Sequence, residues 1–145
     1  TPGVYRSVLQ PRLKQLVRMC RQAGVRFAYI ITKSYDSLSE ELLDLGADCL
    51  YGADPLQGKA DVAFLKDTFK DKVCLWGGLS ASVTLGRGSP EEIRTAVDEA
   101  IQLLAPGGGF VLFPVDNIMA AANPWERTRV LLDRWREIGS YPIAI

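Results

Sequence analysis

Few residues in this chain of 145 can do acid–base, nucleophilic or metal chemistry, and their types narrow the choice at once. There is no histidine, which removes every Ser/His, Cys/His and His–metal mechanism built from this chain alone. The three cysteines, Cys20, Cys49 and Cys74, are odd in number and far apart in apolar surroundings. That spacing fits neither a disulfide framework nor a Cys-x-x-Cys metal knuckle, so they read as core thiols in a reducing compartment. What remains is a short set of polar residues at the ends of apolar runs: Thr32-Lys33-Ser34-Tyr35-Asp36, Asp54 before Pro55, Ser80 after Gly77-Gly78-Leu79, and Asp116-Asn117. Lys33 is suited to attract a substrate carboxylate, and Asp116 to act as acid or base if partial burial raises its pKa. Asp54 reads first as a turn former, Ser80 as a hydrogen-bond donor, and Thr32 and Asn117 as further substrate contacts.

The elements that would position these residues alternate regularly. Leu13, Leu16, Val17, Cys20 and Ala23 recur at helical spacing, with Pro11 in the first turn, Gly24 as the stop, and Tyr5–Leu9 continuing the helix across a kink. The stretch 25–31 is β-branched and aromatic, as a strand covered on both faces should be. Ser37 to Glu40 spells a capping box before Leu42, Leu43 and Leu45, with Gly46 ending the helix. The phrase then repeats: strand 47–51, helix 60–69, strand 73–76, a helix opened by Ser89-Pro90-Glu91-Glu92, strand 110–113, and a last helix from Asn123-Pro124 to Gly139. A helix followed by four strand–helix units predicts an α/β fold with one parallel sheet and right-handed crossovers. No Gly-x-Gly-x-x-Gly follows the first strand, so the pattern fits half of a (β/α)8 barrel better than a dinucleotide-binding sheet. In such a barrel the polar residues singled out above lie at the C-terminal ends of the strands and converge on one mouth. Trp76 is expected to pack inside the barrel, and Trp125 and Trp135 to be core or interface anchors. An open four-strand sheet leaves two edges and an apolar inner face, so a homodimer, or association with an N-terminal half-barrel, is expected.

Charge excludes other classes. Seventeen basic residues balance seventeen acidic ones, giving no net field for nucleic acid or an anionic membrane. The first 35 residues nevertheless carry seven basic and no acidic side chains, either a surface for phosphates and carboxylates or a helix face paired with acidic neighbours. No apolar run approaches a membrane span and no signal peptide precedes the first helix, so a cytoplasmic protein is expected. The missing initiator Met and the abrupt start at Thr1-Pro2-Gly3 lead one to expect a processed piece.

Six ordered phrases carry a resemblance: Gly24 before a strand, Leu45-Gly46-Ala47-Asp48, Leu75-Trp76-Gly77-Gly78-Leu79-Ser80, Gly88-Ser89-Pro90-Glu91-Glu92-Ile93, Ala105-Pro106-Gly107-Gly108-Gly109-Phe110, and Glu137-Ile138-Gly139-Ser140-Tyr141-Pro142. In order and spacing they resemble the C-terminal half of the uroporphyrinogen decarboxylase superfamily. The resemblance implies a single partial TIM-barrel domain over residues 1–145, made of the helix before strand five and units five to eight. It implies one of two activities. The first is a lyase reaction of porphyrin biosynthesis, decarboxylating the acetate side chains of a tetrapyrrole without a cofactor. The second is methyl transfer involving a corrinoid protein, commonly with zinc. Where the zinc-dependent methyltransferases carry His-x-Cys and a later Cys, this chain has Ile30, Thr32 and, within about one position, Asp116, so no such zinc site is expected. The His that decarboxylases tend to carry after the last strand falls near Asp116 too and is absent. By that coincidence Asp116 is the expected catalytic residue, with Thr32, Lys33, Asp54, Ser80 and Asn117 as substrate contacts. A methyltransferase working without zinc, or a half-barrel with no catalysis of its own, are the alternatives.

Overall fold

The computed structural model describes residues 1–33, 35–118 and 123–143; Ser34, named above in the first loop, lies outside them. Four parallel strands form one sheet in the order β1-β2-β3-β4, namely Ala28–Ile30, Cys49–Ala53, Cys74–Ser80 and Phe110–Val115. Each neighbour in sequence is the neighbour in space, as consecutive βα units demand. The helices are α1 (Pro2–Val4), α2 (Gln10–Gln22), α3 (Ser39–Leu45), α4 (Val62–Phe69), α5 (Pro90–Leu104) and α6 (Pro124–Ile138).

Local chemistry accounts for most boundaries. Pro11 has no N–H to bond back into the preceding turn. The chain meets this with a π-helical stretch, Tyr5–Leu9, that joins α1 to α2 without a break. Ser89 and Glu92 form the expected capping box, with Ser89 N donating to Glu92 at 2.6 Å and Glu92 N to Ser89 Oγ at 3.2 Å. Gly46, at φ 71°, closes α3 in the left-handed conformation. The start of α3 differs from expectation: the helix begins at Ser39, with Leu38 in the cap position. The first strand is also shorter than its apolar run, because among the described residues β2 is its one partner and the backbone of Phe27 already serves Asp48 and Cys49.

The alternation of strand side chains divides the sheet into two unlike faces. Leu50 and Leu75 point outward into a buried cluster with Leu42, Leu65, Phe69 and Leu104 from α3, α4 and α5. A second cluster joins Leu79 to Ile93, Val97 and Ile101 of α5 and Leu131 of α6. The opposite face carries Ile30, Tyr51, Trp76, Val111 and Phe113, brought into line by the registers Ile30↔Tyr51, Tyr51↔Trp76 and Trp76↔Val111. There Tyr51, Trp76 and Phe113 meet edge to face at centroid distances of 5.5–5.8 Å, as expected for Trp76. Ile30 nevertheless stays 65% exposed, Val111 42% and Phe113 37%. Trp125 and Trp135 are corrected as core residues: helical spacing places them on α6, but at 65% and 41% exposed they face solvent. The cysteines are free and only half-buried.

Three of the seven basic residues of the early stretch are paired with acids, as the helix-face reading expected. Arg6 bonds Glu41, Lys14 meets Asp44 at 2.6 Å and Arg26 meets Asp48 at 2.8 Å, while Arg12 and Arg21 donate to the backbone carbonyls of Val8 and Gly46. Lys66 does different work. Its ammonium donates to the carbonyls of Leu104, Pro106 and Gly108 at 2.7, 2.6 and 3.2 Å, closing the end of α5 and the glycine turn before β4. Desolvation lowers its pKa from the ordinary lysine value. Lys66→Met keeps the stem but strands three carbonyls, and is expected to cost about 2 kcal/mol. Urea unfolding followed by circular dichroism checks this, and an unchanged midpoint would mean that water replaces the ammonium.

Candidate functional site

At the C-terminal ends of β1, β2 and β4 the loops enclose a cavity of about 380 Å³. Its lining includes Thr32 and Lys33 after β1, Asp54 and Gln57 after β2, and Asp116 and Asn117 after β4. Tyr51 and Val115 supply the apolar floor, which continues into the aromatic trio below. Five of the six expected site residues thus come together.

The loops are held close by backbone contacts that tolerate no side chain. A Cβ on Gly52, at φ +119°, would lie 2.3 Å from the carbonyl oxygen of Ile31, and one on Gly58 would lie 2.8 Å from that of Thr32. Both glycines therefore let the β2 loop lie directly against the segment that carries Thr32 and Lys33. Asp54 is buried, and its Oδ1 accepts from the backbone N–H groups of Leu56 and Gln57 at 2.8 and 2.9 Å. It shapes the loop as the turn reading expected while still forming part of the cavity wall. Lys33 and Asp116 are exposed at the rim. Asp116 sits at φ 72°, a conformation that Asp and Asn tolerate better than other side chains. Its exposure departs from the partial burial that the expectation for Asp116 assumed.

Ser80 is the residue that does not join. It is fully buried, and its Oγ accepts from the N–H of Val83 at 3.4 Å, capping the π-helical stretch Ala81–Leu85. The cause is the length of β3, which runs on to Ser80 so that its polar end enters the next helix instead of the cavity. Gln57 and Tyr51 are the residues that site reasoning passed over. Tyr51 was visible as an inward position by alternation with Cys49. Gln57 carried no signal; its place follows from the turn at Asp54 and from Ser82, whose hydroxyl donates to Gln57 Oε1 at 2.6 Å.

The donor set fits no zinc centre. Among the described residues no group of three or more His, Cys, Asp or Glu side chains gathers, and Ile30, Thr32 and Asp116 offer neither imidazole nor thiolate. Among the described residues, too, no helix is long and apolar enough to cross a membrane.

A parallel sheet with helices on its outer face and a polar mouth at the strand ends defines part of a (β/α)8 barrel. The model of the uroporphyrinogen decarboxylase (URO-D) family matches residues 1–137, and the chain belongs to that family. No match is found among curated proteins.

Proposed function

We propose that this chain supplies half of the active-site mouth of a cofactor-free carboxy-lyase acting on the acetate side chains of a tetrapyrrole. The observation that carries the reading is the meeting of a cation, Lys33, and an anion, Asp116, on one cavity whose floor is aromatic. A porphyrinogen is a ring of flat, electron-rich pyrroles edged with carboxylates, so it needs an apolar surface and peripheral cations. Lys33 anchors a carboxylate, and Thr32 and Asn117 add hydrogen bonds. In the reaction a proton first adds to the pyrrole, the bond to the carboxylate carbon then breaks, CO2 leaves, and its electron pair returns to the ring. A second proton converts the exocyclic methylene to methyl, and the proton first added leaves the ring carbon, which restores the aromatic pyrrole with one net proton taken up. The Asp116 carboxylate stabilises the pyrrole cation and carries a proton. Closure of the mouth requires a second half-barrel, which in solutions of this chain is a second copy of it. Such a dimer is part of the proposal.

The test follows uroporphyrinogen under reducing conditions, with products resolved by carboxyl number. Asp116→Asn keeps the side chain's shape and its tolerance of positive φ, and is expected to lower turnover about 100-fold with binding retained. Lys33→Ala is expected to weaken binding about tenfold. Unchanged turnover in Asp116→Asn returns that residue to a turn role. Folded protein that neither binds nor converts the tetrapyrrole overturns the reading, and methyl transfer from a corrinoid protein by the same preparation would establish the alternative.

A further inference from the structure

At the opposite end of the sheet, outside the mouth, two thiols stand side by side. Cys49 begins β2 and Cys74 begins β3, and the two are direct register partners. In a parallel ladder, register partners point to the same face from strands about 4.8 Å apart. Both are half-buried, and Cys74 Sγ donates to the carbonyl oxygen of Leu75 at 3.8 Å. They border a solvent-open groove of about 480 Å³ that is also lined by Arg21, Arg26 and Lys72. One carboxylate, Asp48, shares this wall, and it is already engaged by the N–H of Phe27 and by Arg26.

We propose that Cys49 and Cys74 form a two-coordinate site for a soft monovalent cation, copper(I), held between the two sulfurs. The proposal uses none of the mouth residues, and its site lies at the opposite end of the same inner face. Three physical arguments select this ligand class. Thiolate sulfur is a soft donor and prefers copper(I) over hard cations. No third His, Cys, Asp or Glu completes a tetrahedral set among the described residues, which disfavours zinc and leaves an ion content with two ligands. The strand spacing also matches: two metal–sulfur bonds of about 2.2 Å laid end to end span about 4.4 Å, close to the separation of the strands. The charge balance is equally direct. Two thiols lose two protons to solvent and bind one Cu⁺, giving a complex of charge −1. Arg21, Arg26 and Lys72 around the same groove offset that charge.

Anaerobic titration with copper(I) buffered by bicinchoninate tests the site on the intact chain. One ion per chain is expected, with two protons released. Cys49→Ser and Cys74→Ser should each weaken uptake at least 100-fold, while Cys20→Ser should leave it unchanged. Lys72→Gln should lower affinity severalfold at the same stoichiometry, because it removes charge without removing a ligand. Circular dichroism of the metal-free variants verifies folding. If serine at either position unfolds the sheet, capping the thiols of folded native protein with methyl methanethiosulfonate makes the same comparison. Uptake that survives the loss of either Cys49 or Cys74, or that follows Cys20, overturns the proposal.

Discussion

Gly52→Ala is expected to destabilise the chain by at least about 3 kcal/mol, enough to unfold much of a marginally stable domain. Two effects add at this position. The backbone holds φ +119°, which L side chains rarely adopt, and the new Cβ would stand 2.3 Å from the carbonyl oxygen of Ile31. Neither partner is a flexible side-chain tip; both are backbone, Gly52 within β2 and Ile31 just past the end of β1. Relief of the clash must push β1 from β2, and with it Thr32 and Lys33 from Asp54. Gly24 is the control, because it also has positive φ, +69°, but an added Cβ meets nothing within 4 Å. Gly24→Ala should therefore cost only about 1 kcal/mol. Urea unfolding of both variants separates conformational strain from collision, and a Gly52→Ala protein as stable as Gly24→Ala would mean that the β1–β2 approach is looser than described.

The contrast between those glycines also marks what could be read from the residues alone. Local signals with a complete mechanism were legible: Ser89 with Glu92 closed the expected capping box, and Gly46 ended α3 with positive φ. Convergence of Thr32, Lys33, Asp54, Asp116 and Asn117 followed from one rule, that βα loops share one end of a parallel sheet. Ser80 was misplaced because composition does not show where β3 stops; the strand takes in Gly77 and Gly78, residues that ordinarily mark its end. Trp125 and Trp135 depart from the core half of the expectation for a related reason. Helical spacing assigns residues to a face of α6, but not the face that meets α5, which is set instead by Leu131 and by the contact of Arg134 with Asp98 at 2.6 and 2.8 Å. Gln57 reaches the mouth through tertiary placement of a loop, which no periodicity encodes.

Light scattering coupled to size exclusion is expected to find this chain associating at micromolar concentration, with a species of twice 16.0 kDa as the dimer. The proposed cause is the inner face of the sheet. Ile30, Val111 and Phe113 remain 65%, 42% and 37% exposed on a face that also carries Tyr51 and Trp76, and β1 and β4 each leave one edge unpaired among the described residues. In a solution of the chain alone, the surface that matches an apolar four-strand face with two free edges is another such face, and two copies supply eight strands about a two-fold axis. Zero net charge opposes this little. These three side chains are about half covered already, so burying the remainder in two copies contributes roughly 5–9 kcal/mol. Association itself costs on the order of 4–15 kcal/mol. The two terms are comparable, so edge hydrogen bonds decide the outcome and the dimer should dissociate on dilution. Phe113→Asp places a carboxylate on the exposed face away from the helix-packed core and should shift the protein to monomer with its far-ultraviolet dichroism preserved. A monodisperse, cooperatively melting 16.0 kDa species in the unmodified chain would show that the half-barrel covers its own inner face and would remove the dimer from the proposed function.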